Sequence, residues 1–327
     1  MSPKNVTILV CLIVVLGVFL YKKISPEKNV EKITVGIIQT ASHPALDQVR
    51  QGFITELERL SNNEIDFVVQ NGEGILSQIQ SIAANFHAHK KIDAIFAIAT
   101  PAVQAITRME KRKPIFIAAV SDPESLGLTQ NTNVCGTTDR IDTDAQSSLI
   151  KELIPHARRA TILYNPGENN SVAMVKKMRV SLEKQGIEST LLGVNLESEI
   201  AMAVNAASRK GDVILIPADN LLVGAMPLVA NQALKNECPL IVSDIPSVTK
   251  GALAAKGADY GELGKETALL VYKVLIEGES PESVGINDPL NTKTVVNQKI
   301  VEALQISVSE KLAKKSQLVG NEVCDES

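Results

Sequence analysis

Polar side chains occur where the apolar, strand-like runs of this chain end. Ligands of open α/β sheets bind at the carboxyl ends of the strands, so these side chains are candidates for a binding site. A hydroxyl that caps a helix lies beside free N–H groups that attract an anion, whereas a carboxylate such as Asp219 can pair with a cation. Each one alone is also explained as a helix cap. In chain order the strand ends are Gln39-Thr40, Thr100-Pro101, Ser121-Asp122-Pro123, Tyr164-Asn165, Pro217-Ala218-Asp219-Asn220 and Ser243-Asp244.

The segment Tyr164–Ser171, with the sequence YNPGENNS, concentrates this polar chemistry. It follows a strand-like run at 160–163 and precedes a helical stretch from Val172. A carboxylate, three amides, a hydroxyl and a phenol therefore share one predicted strand-to-helix turn, which Pro166 and Gly167 shape.

Catalytic and metal-binding patterns are missing from the sequence. It contains no G-x-S-x-G elbow, no P-loop and no G-x-G-x-x-G fingerprint. His87 and His89 are two residues apart on a predicted helix and point to different faces, so they are not a metal pair. The cysteines are scattered; Cys135 and Cys238 either pair in an oxidising compartment or are buried as small apolar residues. An enzyme is therefore disfavoured, and no metal or cofactor is expected.

The charge balance argues against a nucleic-acid partner. The formal net charge is -4, whereas binding to phosphates relies on clustered Lys and Arg. Hydrophobic residues make up 45% of the chain and aromatic residues only 3%, so the core is expected to be aliphatic.

Strand-like and amphipathic helical patterns alternate from Glu31 onward. Such short apolar runs predict parallel sheets that are covered by helices on both faces. The alternation starts afresh after the loop at 135–139, and the units are too many for one doubly wound sheet. The predicted fold class is therefore α/β, with two doubly wound lobes and a cleft between them. The predicted strands are 33–38, 65–69, 93–99, 115–120, 160–164, 189–194, 213–216 and 240–242.

The C-terminal elements are too few for a third domain. A strand at 251–256, a helix at 260–277 and a strand at 293–296 would complete the two lobes, with the chain crossing back and forth. The predicted organisation assigns 32–138 with 252–285 to lobe 1 and 139–251 with 286–312 to lobe 2. Residues 1–31 form an N-terminal segment with a linker, and 313–327 form a polar tail.

The N-terminus carries an apolar run from Val6 to Tyr21, with Lys4 before it and Lys22-Lys23 after it. No small-x-small cleavage site follows, so an uncleaved signal anchor is favoured over a cleaved signal and over a buried core helix. Either of the first two interpretations places the rest of the chain outside the cytoplasm.

Seven motifs occur in an order that resembles a known family. They are similar to those of the ABC-transporter solute-binding proteins of the aromatic-amino-acid (tryptophan/tyrosine) type, over roughly residues 32 to 310. The resemblance implies a type I periplasmic-binding-protein-like fold, with an amino-acid ligand between the lobes and an ABC permease as partner. The sequence departs from the family pattern in two places, because the lipobox around Cys11 is degraded and Trp is absent. The motifs are VGIIQTASHPALDQVRQGF, AIATPAVQAI, AAVSDPESLGL, GTTD, YNPGENNS, IPADN and GADYGELG.

The resemblance also implies roles for the polar strand ends. A zwitterionic amino acid needs donors for its carboxylate, from Thr100, Ser121 and helix-start N–H groups, and an acceptor for its ammonium, which Asp219 supplies. The YNPGENNS turn would face the cleft, with Asn169, Asn170 or Ser171 capping the next helix. Without Trp, an aromatic ligand would stack on Tyr164, Tyr260 or a Phe. The expected ligand contacts are Gln39, Thr100, Ser121, Thr138, Tyr164, Asn165, Asn169, Asp219, Asn220 and Ser243.

The favoured function is that of a monomeric, membrane-tethered solute-binding protein that delivers an amino acid, preferably an aromatic one, to an ABC permease. A ligand-binding sensor tethered by the same anchor is the alternative, but only five residues precede the apolar run. A transcription regulator on this fold needs a DNA-binding helix-turn-helix, for which the chain has no room.

Overall fold

Two β-sheets organise residues 32–320, the part of the chain that the computed structural model describes. Their strands are β1 (Ile33–Gln39), β2 (Ile65–Asn71), β3 (Ala94–Ile98), β4 (Ile115–Val120), β5 (Val134–Thr138), β6 (Arg159–Tyr164), β7 (Glu188–Gly193), β8 (Val213–Ile216), β9 (Leu240–Val242), β10 (Ala254–Ala258), β11 (Ile286–Asn287), β12 (Thr292–Asn297) and β13 (Gln317–Val319).

The first sheet has the order β2-β1-β3-β4-β5-β11, and the second has the order β7-β6-β8-β9-β10-β12-β13. Neighbouring strands β1, β3, β4 and β5 are parallel, as are β7, β6, β8, β9 and β10, whereas β12 runs antiparallel to β10. Every residue of β3 and β4 is buried, as expected for strands covered on both faces. The predicted α/β fold with two lobes is confirmed.

The helices that cover the sheets alternate with the strands, as the sequence predicts. They are α1 (Pro44–Ser61), α2 (Leu76–Ala88), α3 (Thr100–Met109), α4 (Thr143–Leu153), α5 (Asn169–Lys184), α6 (Ile200–Lys210), α7 (Asn220–Gly224), α8 (Met226–Lys235), α9 (Pro246–Thr249), α10 (Tyr260–Leu275), α11 (Pro281–Val284), α12 (Gln298–Ala303) and α13 (Glu310–Lys315). After β8 the chain forms two helices, α7 and α8, which are divided at Ala225. Pro227 has no N–H to donate, so it fits in the first turn of α8 and would not continue α7.

The crossings between the lobes differ from the prediction in two strands, β10 and β11. The strand predicted at 251–256 was assigned to the first lobe, yet β10 pairs with β9 and β12 in the second sheet. The short helix α9 between β9 and β10 explains this, because consecutive parallel strands linked by a helix are normally neighbours. The short β11 in turn joins the first sheet beside β5, and β13, in the predicted polar tail, adds an edge to the second.

Helix α10 packs against α1 on the first lobe with their backbones in direct contact. A Cβ atom on Gly264 would lie 2.1 Å from the carbonyl oxygen of Val49, and one on Gly52 would lie 2.3 Å from that of Gly261. Only glycine fits at both positions, since real Cβ atoms do not approach so closely. The crossing holds His43 at the start of α1 and Tyr260 at the start of α10 in fixed positions.

The predicted membrane anchor, Val6 to Tyr21 with Cys11, lies outside the described range, as does Cys324. Within residues 32–320, no helix is long and apolar enough to span a bilayer. Cys135 and Cys238 are buried free thiols, so the disulfide that the sequence left open is not formed. Burial raises the pKa of Cys135 to about 12, which makes its thiol unreactive.

Candidate functional site

A small buried cavity lies between the two sheets, at the carboxyl ends of their strands. Its volume of about 20 Å³ holds a group the size of one water molecule, which needs roughly 10–15 Å³. The first lobe and its first crossing contribute His43, Ala45, Leu46, Ala99, Ala119, Ser121, Asp139 and Tyr260. The second lobe contributes Asn170, Ala218, Asp219, Asn220, Val223 and Asp244.

Asp244 follows β9, lines this cavity and has an unused carboxylate oxygen. Its Oδ2 accepts a hydrogen bond from Ser247 N at 3.0 Å, at the start of α9. Its Oδ1 is buried and has no partner among the described residues, although Asp244 is only 2% exposed. Burial raises the pKa of this carboxyl, while the hydrogen bond from Ser247 works against the rise. A buried acceptor without a donor is costly, so this oxygen indicates a missing partner.

Asp219 follows β8 and is the N-cap of α7. The sequence left this role as a helix cap open beside the role of ligand contact. Asp219 Oδ1 accepts from Leu222 N at 3.0 Å, and its Oδ2 accepts from Ser171 Oγ at 2.6 Å and from Asn165 N. Burial, and secondarily the charge of Glu168, raises the pKa of Asp219 to about 7. Asp219 therefore lines the cavity with both oxygens already engaged, and its contact with a ligand stays a prediction.

Asp139 is the first residue after β5, where the chain leaves the first lobe. It is 3% exposed and accepts hydrogen bonds from Ser121 Oγ at 2.8 Å and from Tyr260 OH at 2.9 Å. Burial raises the pKa of its carboxyl, although the hydrogen bonds from these two donors lower it. Both hydroxyls that line the cavity are thus directed at one carboxylate.

His43 connects the two lobes across the cavity. Its Nε2 lies 3.2 Å from Asn220 Oδ1, and because that oxygen can only accept, Nε2 carries the proton. Burial lowers the pKa of His43, so the ring is neutral and its Nδ1 is an acceptor. No donor reaches Nδ1 within the described part of the chain.

Three buried acceptors around the cavity therefore lack donors. Besides His43 Nδ1 and Asp244 Oδ1, the third is Asn170 Oδ1, whose Nδ2 donates to Ala218 O at 2.6 Å. The three residues are 6%, 2% and 6% exposed, respectively. Among residues 32–320, no Lys or Arg lines the cavity, whereas three aspartates do. The arrangement fits a small cationic group with several hydrogens to donate.

Donors for an anion lie at the start of α1. Ala45 and Leu46 line the cavity in the first turn of this helix, where N–H groups have no acceptor within the helix. The N-cap residue His43 makes no side-chain bond to them, so the positive end of the dipole is open to the cavity. Two lining residues at strand ends, Ala99 and Ala119, have φ of 71° and 57°, and such strain in non-glycine residues concentrates at functional sites.

A larger cavity of about 700 Å³ lies beside the small one and opens to solvent, and Asn220 lines both. Its wall combines apolar with polar side chains, and Arg108 is the one Lys or Arg that lines it within the described residues. The first lobe contributes Thr40, Ala41, Ser42, Glu73, Gly74, Leu76, Ile79, Gln80, Pro101, Gln104, Ala105 and Arg108. The second contributes Asn165, Gly167, Glu168, Asn169, Asn195, Glu197, Asn220, Leu221, Gly224 and Ala225.

The YNPGENNS turn uses its carboxylate inside the second lobe. Glu168 accepts from Asn220 N at 3.1 Å, from Asn220 Nδ2 at 2.6 Å and from Leu221 N at 3.2 Å, and so caps α7. The expectation that Asn169, Asn170 or Ser171 caps the next helix is wrong. Helix α5 begins at Asn169 without a side-chain cap bond from its N-cap residue Glu168, and the polar side chains of the turn bind α7 and Asp219 instead.

The structure divides the ten sequence candidates into three groups. Ser121, Asp219 and Asn220 line the small cavity, and Asn165, Asn169 and Asn220 line the larger one. Thr100 begins α3 directly after Ala99, and Tyr164 packs against a core cluster of the second lobe. The remaining three bond within the protein: Gln39 to Ala41, Asp47 and Arg50, Thr138 to Asp288, and Ser243 to Ile216 and Gln146.

Five residues of the small cavity with polar side chains were not among the ten expected ligand contacts: His43, Asp139, Asn170, Asp244 and Tyr260. The sequence offered Asp244 only as part of a strand end and Tyr260 only as an aromatic residue that could stack. Asp139 and Asp244 each follow a candidate directly, Thr138 and Ser243, so the strand-end rule found the position but the neighbouring side chain faces the cavity. The acceptor that lacks a donor at Asp244 depends on tertiary packing and leaves no trace in the sequence.

Comparison with known proteins identifies the family. The sequence model described as ABC transporter substrate binding protein matches residues 34–319. The chain belongs to this family. It is therefore an extracytoplasmic substrate-binding protein of an ABC transporter, a class that binds its ligand without chemical change. The predicted family and the function as a substrate-binding protein are confirmed, whereas the monomeric state and the membrane tether stay predictions.

Similar proteins include one curated relative and two solved structures. A tyrosine-binding protein of Clostridioides difficile is 36% identical over 282 residues, which cover 83% of this chain and 81% of that protein. An ABC domain from Streptococcus pneumoniae in complex with L-Trp is 29% identical with a TM-score of 0.84, covering 88% of this substrate-binding protein and all of that chain (100%). A ligand-free, open substrate-binding protein with adhesive properties from Clostridium difficile is 34% identical with a TM-score of 0.67, at coverages of 89% and 100%.

The two solved structures differ in how well they superpose on this chain. The ligand-free, open protein is more similar in sequence, yet the tryptophan complex superposes better, at 0.84 against 0.67. This substrate-binding protein therefore superposes better on the ligand-bound relative than on the open one. The small volume between its aspartates agrees with a closed cleft.

Proposed function

We propose that this substrate-binding protein captures an α-amino acid with an aromatic side chain between its lobes and delivers it to an ABC permease. The observation that carries the proposal is the set of three buried acceptors without donors, at His43, Asn170 and Asp244, around a cavity with three aspartates. The tyrosine-binding relative and the L-Trp complex support an aromatic ligand.

The ammonium group of the ligand occupies the small cavity. It is water-sized, carries one positive charge and has three N–H donors, which match three acceptors that otherwise lack donors. Asp244 is its first partner because Oδ1 is free, and Asp219 and Asp139 add negative charge beside it. Burial strengthens this attraction, since charges interact more strongly away from water.

The carboxylate of the ligand accepts from the first turn of α1, and its side chain extends into the larger cavity. The open N–H groups of Ala45 and Leu46, at the positive end of an 18-residue helix, suit an anion. Aliphatic groups of Leu76, Ile79 and Leu221 contribute to the wall of the larger cavity. Of the residues expected to stack on the ligand, Tyr260 lines the small cavity, whereas Phe53, Phe86, Phe96 and Phe116 are core residues.

Thermal melting of the purified protein against all twenty amino acids tests the proposal. Tyrosine or tryptophan, at about 100 times its dissociation constant, should add roughly 2.7 kcal/mol to the free energy of unfolding. Stabilisation by an acidic or a small aliphatic amino acid alone would contradict an aromatic ligand, and no stabilisation by any of the twenty would contradict amino-acid binding.

Ligand affinity is expected to increase from pH 5 to pH 8. Burial raises the pKa of Asp219 to about 7 and raises those of Asp139 and Asp244, so without ligand the folded state holds these protons more tightly than the unfolded state. These protons therefore add to the free energy of unfolding below the unfolded pKa of 3.8, and this contribution is lost as the pH rises through the raised pKa values. An ammonium group needs the ionised carboxylates, and His43, which is protonated only at acidic pH, acts in the same direction.

The size of the pH effect follows from proton competition. For one carboxylate with a pKa of about 7, affinity at pH 5 is roughly 100-fold below that at pH 8. Calorimetric titration at a series of pH values measures it, with the melting temperature of the ligand-free protein recorded in parallel. An affinity that stays constant over this range would show that ionised aspartates do not hold the ligand.

The protein is expected to be a monomer that closes around its ligand. The lobes are joined by chain crossings near Asp139, Asp259 and Asp288, and such joints permit hinge closure. Small-angle scattering should show a decrease in the radius of gyration when tyrosine or tryptophan is added. A ligand that binds by calorimetry without any compaction would argue against closure.

The protein is expected to remain with the membrane through Val6 to Tyr21. These residues are almost entirely apolar and no cleavage site follows them. Fractionation of producing cells, with N-terminal sequencing of the product, tests this proposal. A soluble product that lacks the apolar run would instead indicate cleavage of a signal peptide.

A further inference from the structure

We infer that the ammonium group alone determines recognition in the small cavity, so that the ligands of this protein include primary aromatic amines without a carboxylate. This inference rests on the proposed function, because it concerns the same site. It extends the ligand class from zwitterionic amino acids to cations that carry the same aromatic group.

The charges around the cavity favour a ligand with a net positive charge. Asp139, Asp219 and Asp244 line it, and Glu168 lies on the adjoining cavity beside Asn220. Within residues 32–320, no Lys or Arg lines the small cavity, and its one basic residue is the neutral ring of His43. A zwitterion brings no net charge and adds a carboxylate to this negative environment, whereas an amine brings a full positive charge.

The hydrogen-bond donors around the cavity are mostly engaged already. Ser121 and Tyr260 both donate to Asp139, and His43 Nε2 donates to Asn220 Oδ1. The backbone N–H groups at the start of α7 donate to Glu168 and Asp219. A ligand carboxylate is therefore left with the first turn of α1 as its donor group.

The acceptors show the opposite imbalance. The unpartnered atoms His43 Nδ1, Asn170 Oδ1 and Asp244 Oδ1 are all acceptors, and each residue is more than nine-tenths buried. Loss of the ligand's ammonium would leave all three without donors, in a cavity that closes over them. Loss of its carboxylate gives up hydrogen bonds from two backbone N–H groups but also removes repulsion from three aspartates.

Calorimetric titration of the full-length protein with two matched series tests the inference. The first series is tyrosine, tyramine and 3-(4-hydroxyphenyl)propionate, and the second is tryptophan, tryptamine and 3-(indol-3-yl)propionate. The amine of the series that binds should have an affinity within about tenfold of its amino acid, because few hydrogen bonds are lost. The propionate, which lacks the ammonium, should bind at least about 100-fold more weakly.

The outcomes separate the inference from the proposed function. An amino acid that binds while its amine is more than about 100-fold weaker overturns the inference and leaves the proposed function intact. A propionate that binds as well as the amino acid overturns it too. Binding of none of the six compounds contradicts the proposed function itself.

A pair of variants tests the inference by changing the protein instead of the ligand. Asp244→Asn retains an oxygen for Ser247 N but removes the charge, and it should weaken the amine by at least about tenfold more than the zwitterion. Asp142→Asn removes the same charge from the exposed cap of α4, where asparagine also caps, and should change neither affinity. Equal losses for amine and zwitterion in Asp244→Asn would overturn the inference.

Discussion

Replacing Asp244 by asparagine is expected to lower the affinity for the amino-acid ligand by roughly 30- to 4,000-fold, with little change in stability. The carboxylate is 2% exposed and its Oδ1 has no other partner among the described residues. An ammonium that loses this partner in a closed cavity stays buried and incompletely paired, at a cost of about 2–5 kcal/mol. The asparagine oxygen can still accept from Ser247 N, so α9 keeps its cap. Calorimetric titration and thermal melting measure the two quantities.

Asp142→Asn is the matched control, because it changes an exposed cap aspartate by the same atoms. Asp219→Asn is a poorer test than the sequence suggests. Both oxygens of Asp219 accept hydrogen bonds, and the amide nitrogen of asparagine would face the N–H of Asn165 or of Leu222. That variant should lose stability together with affinity. An Asp244→Asn protein that binds within about threefold of the wild type would remove Asp244 from the site.

Replacing Gly264 by valine is expected to lower the free energy of unfolding by about 3 kcal/mol or more, and ligand affinity with it. The new Cβ would lie 2.1 Å from Val49 O and 2.8 Å from Phe53 N, which are backbone atoms of α1 and cannot move aside alone. Helix α10 must therefore shift away from α1. Because Tyr260 and His43 begin these two helices, the shift also displaces two residues of the cavity.

Denaturant unfolding with calorimetric titration measures both effects. Gly261→Ala is the control, since it lies in the same helix but its Cβ would have no neighbour closer than 3.4 Å. The control should be as stable as the wild type or slightly more so, because alanine restricts the unfolded chain. Equal stability of Gly264→Val and Gly261→Ala would mean that the two helices are not in backbone contact.

The sheets could be predicted because their signal is local. Runs such as Ile95 to Ile98 and Ile115 to Val120 are apolar at every position, which only a strand covered on both faces tolerates. The partner of a strand is not a local property. The order of strands places β10 in the second sheet and β11 in the first, and these choices depend on the packing of α9 and α10. For that reason the prediction misplaced β10.

The site was predictable to the level of the strand end but not of the side chain. Asp219 and Ser121 were found because polar residues after buried strands are conspicuous in the sequence. Ser243 and Thr138 were chosen where Asp244 and Asp139, one residue later, line the cavity. Which of two consecutive polar residues points inward depends on where the strand ends and how its turn is bonded. The N–H groups at the start of α7 donate to Glu168, which lies 52 residues before Asn220 in the sequence.

The first lobe cannot complete its core from the N-terminal half of the chain. Thr137 Oγ1 and Thr267 Oγ1 lie 2.6 Å apart, although 130 residues separate them and strands β6 to β10 are made in between. A ribosome that adds about 5–20 residues per second needs roughly 7 to 26 s to synthesise that interval. Until then α10 cannot cover the face of α1 at Val49 and Gly52, and contacts so distant in sequence form slowly. The lobe that is synthesised first therefore cannot finish folding until five strands of the other lobe have been made.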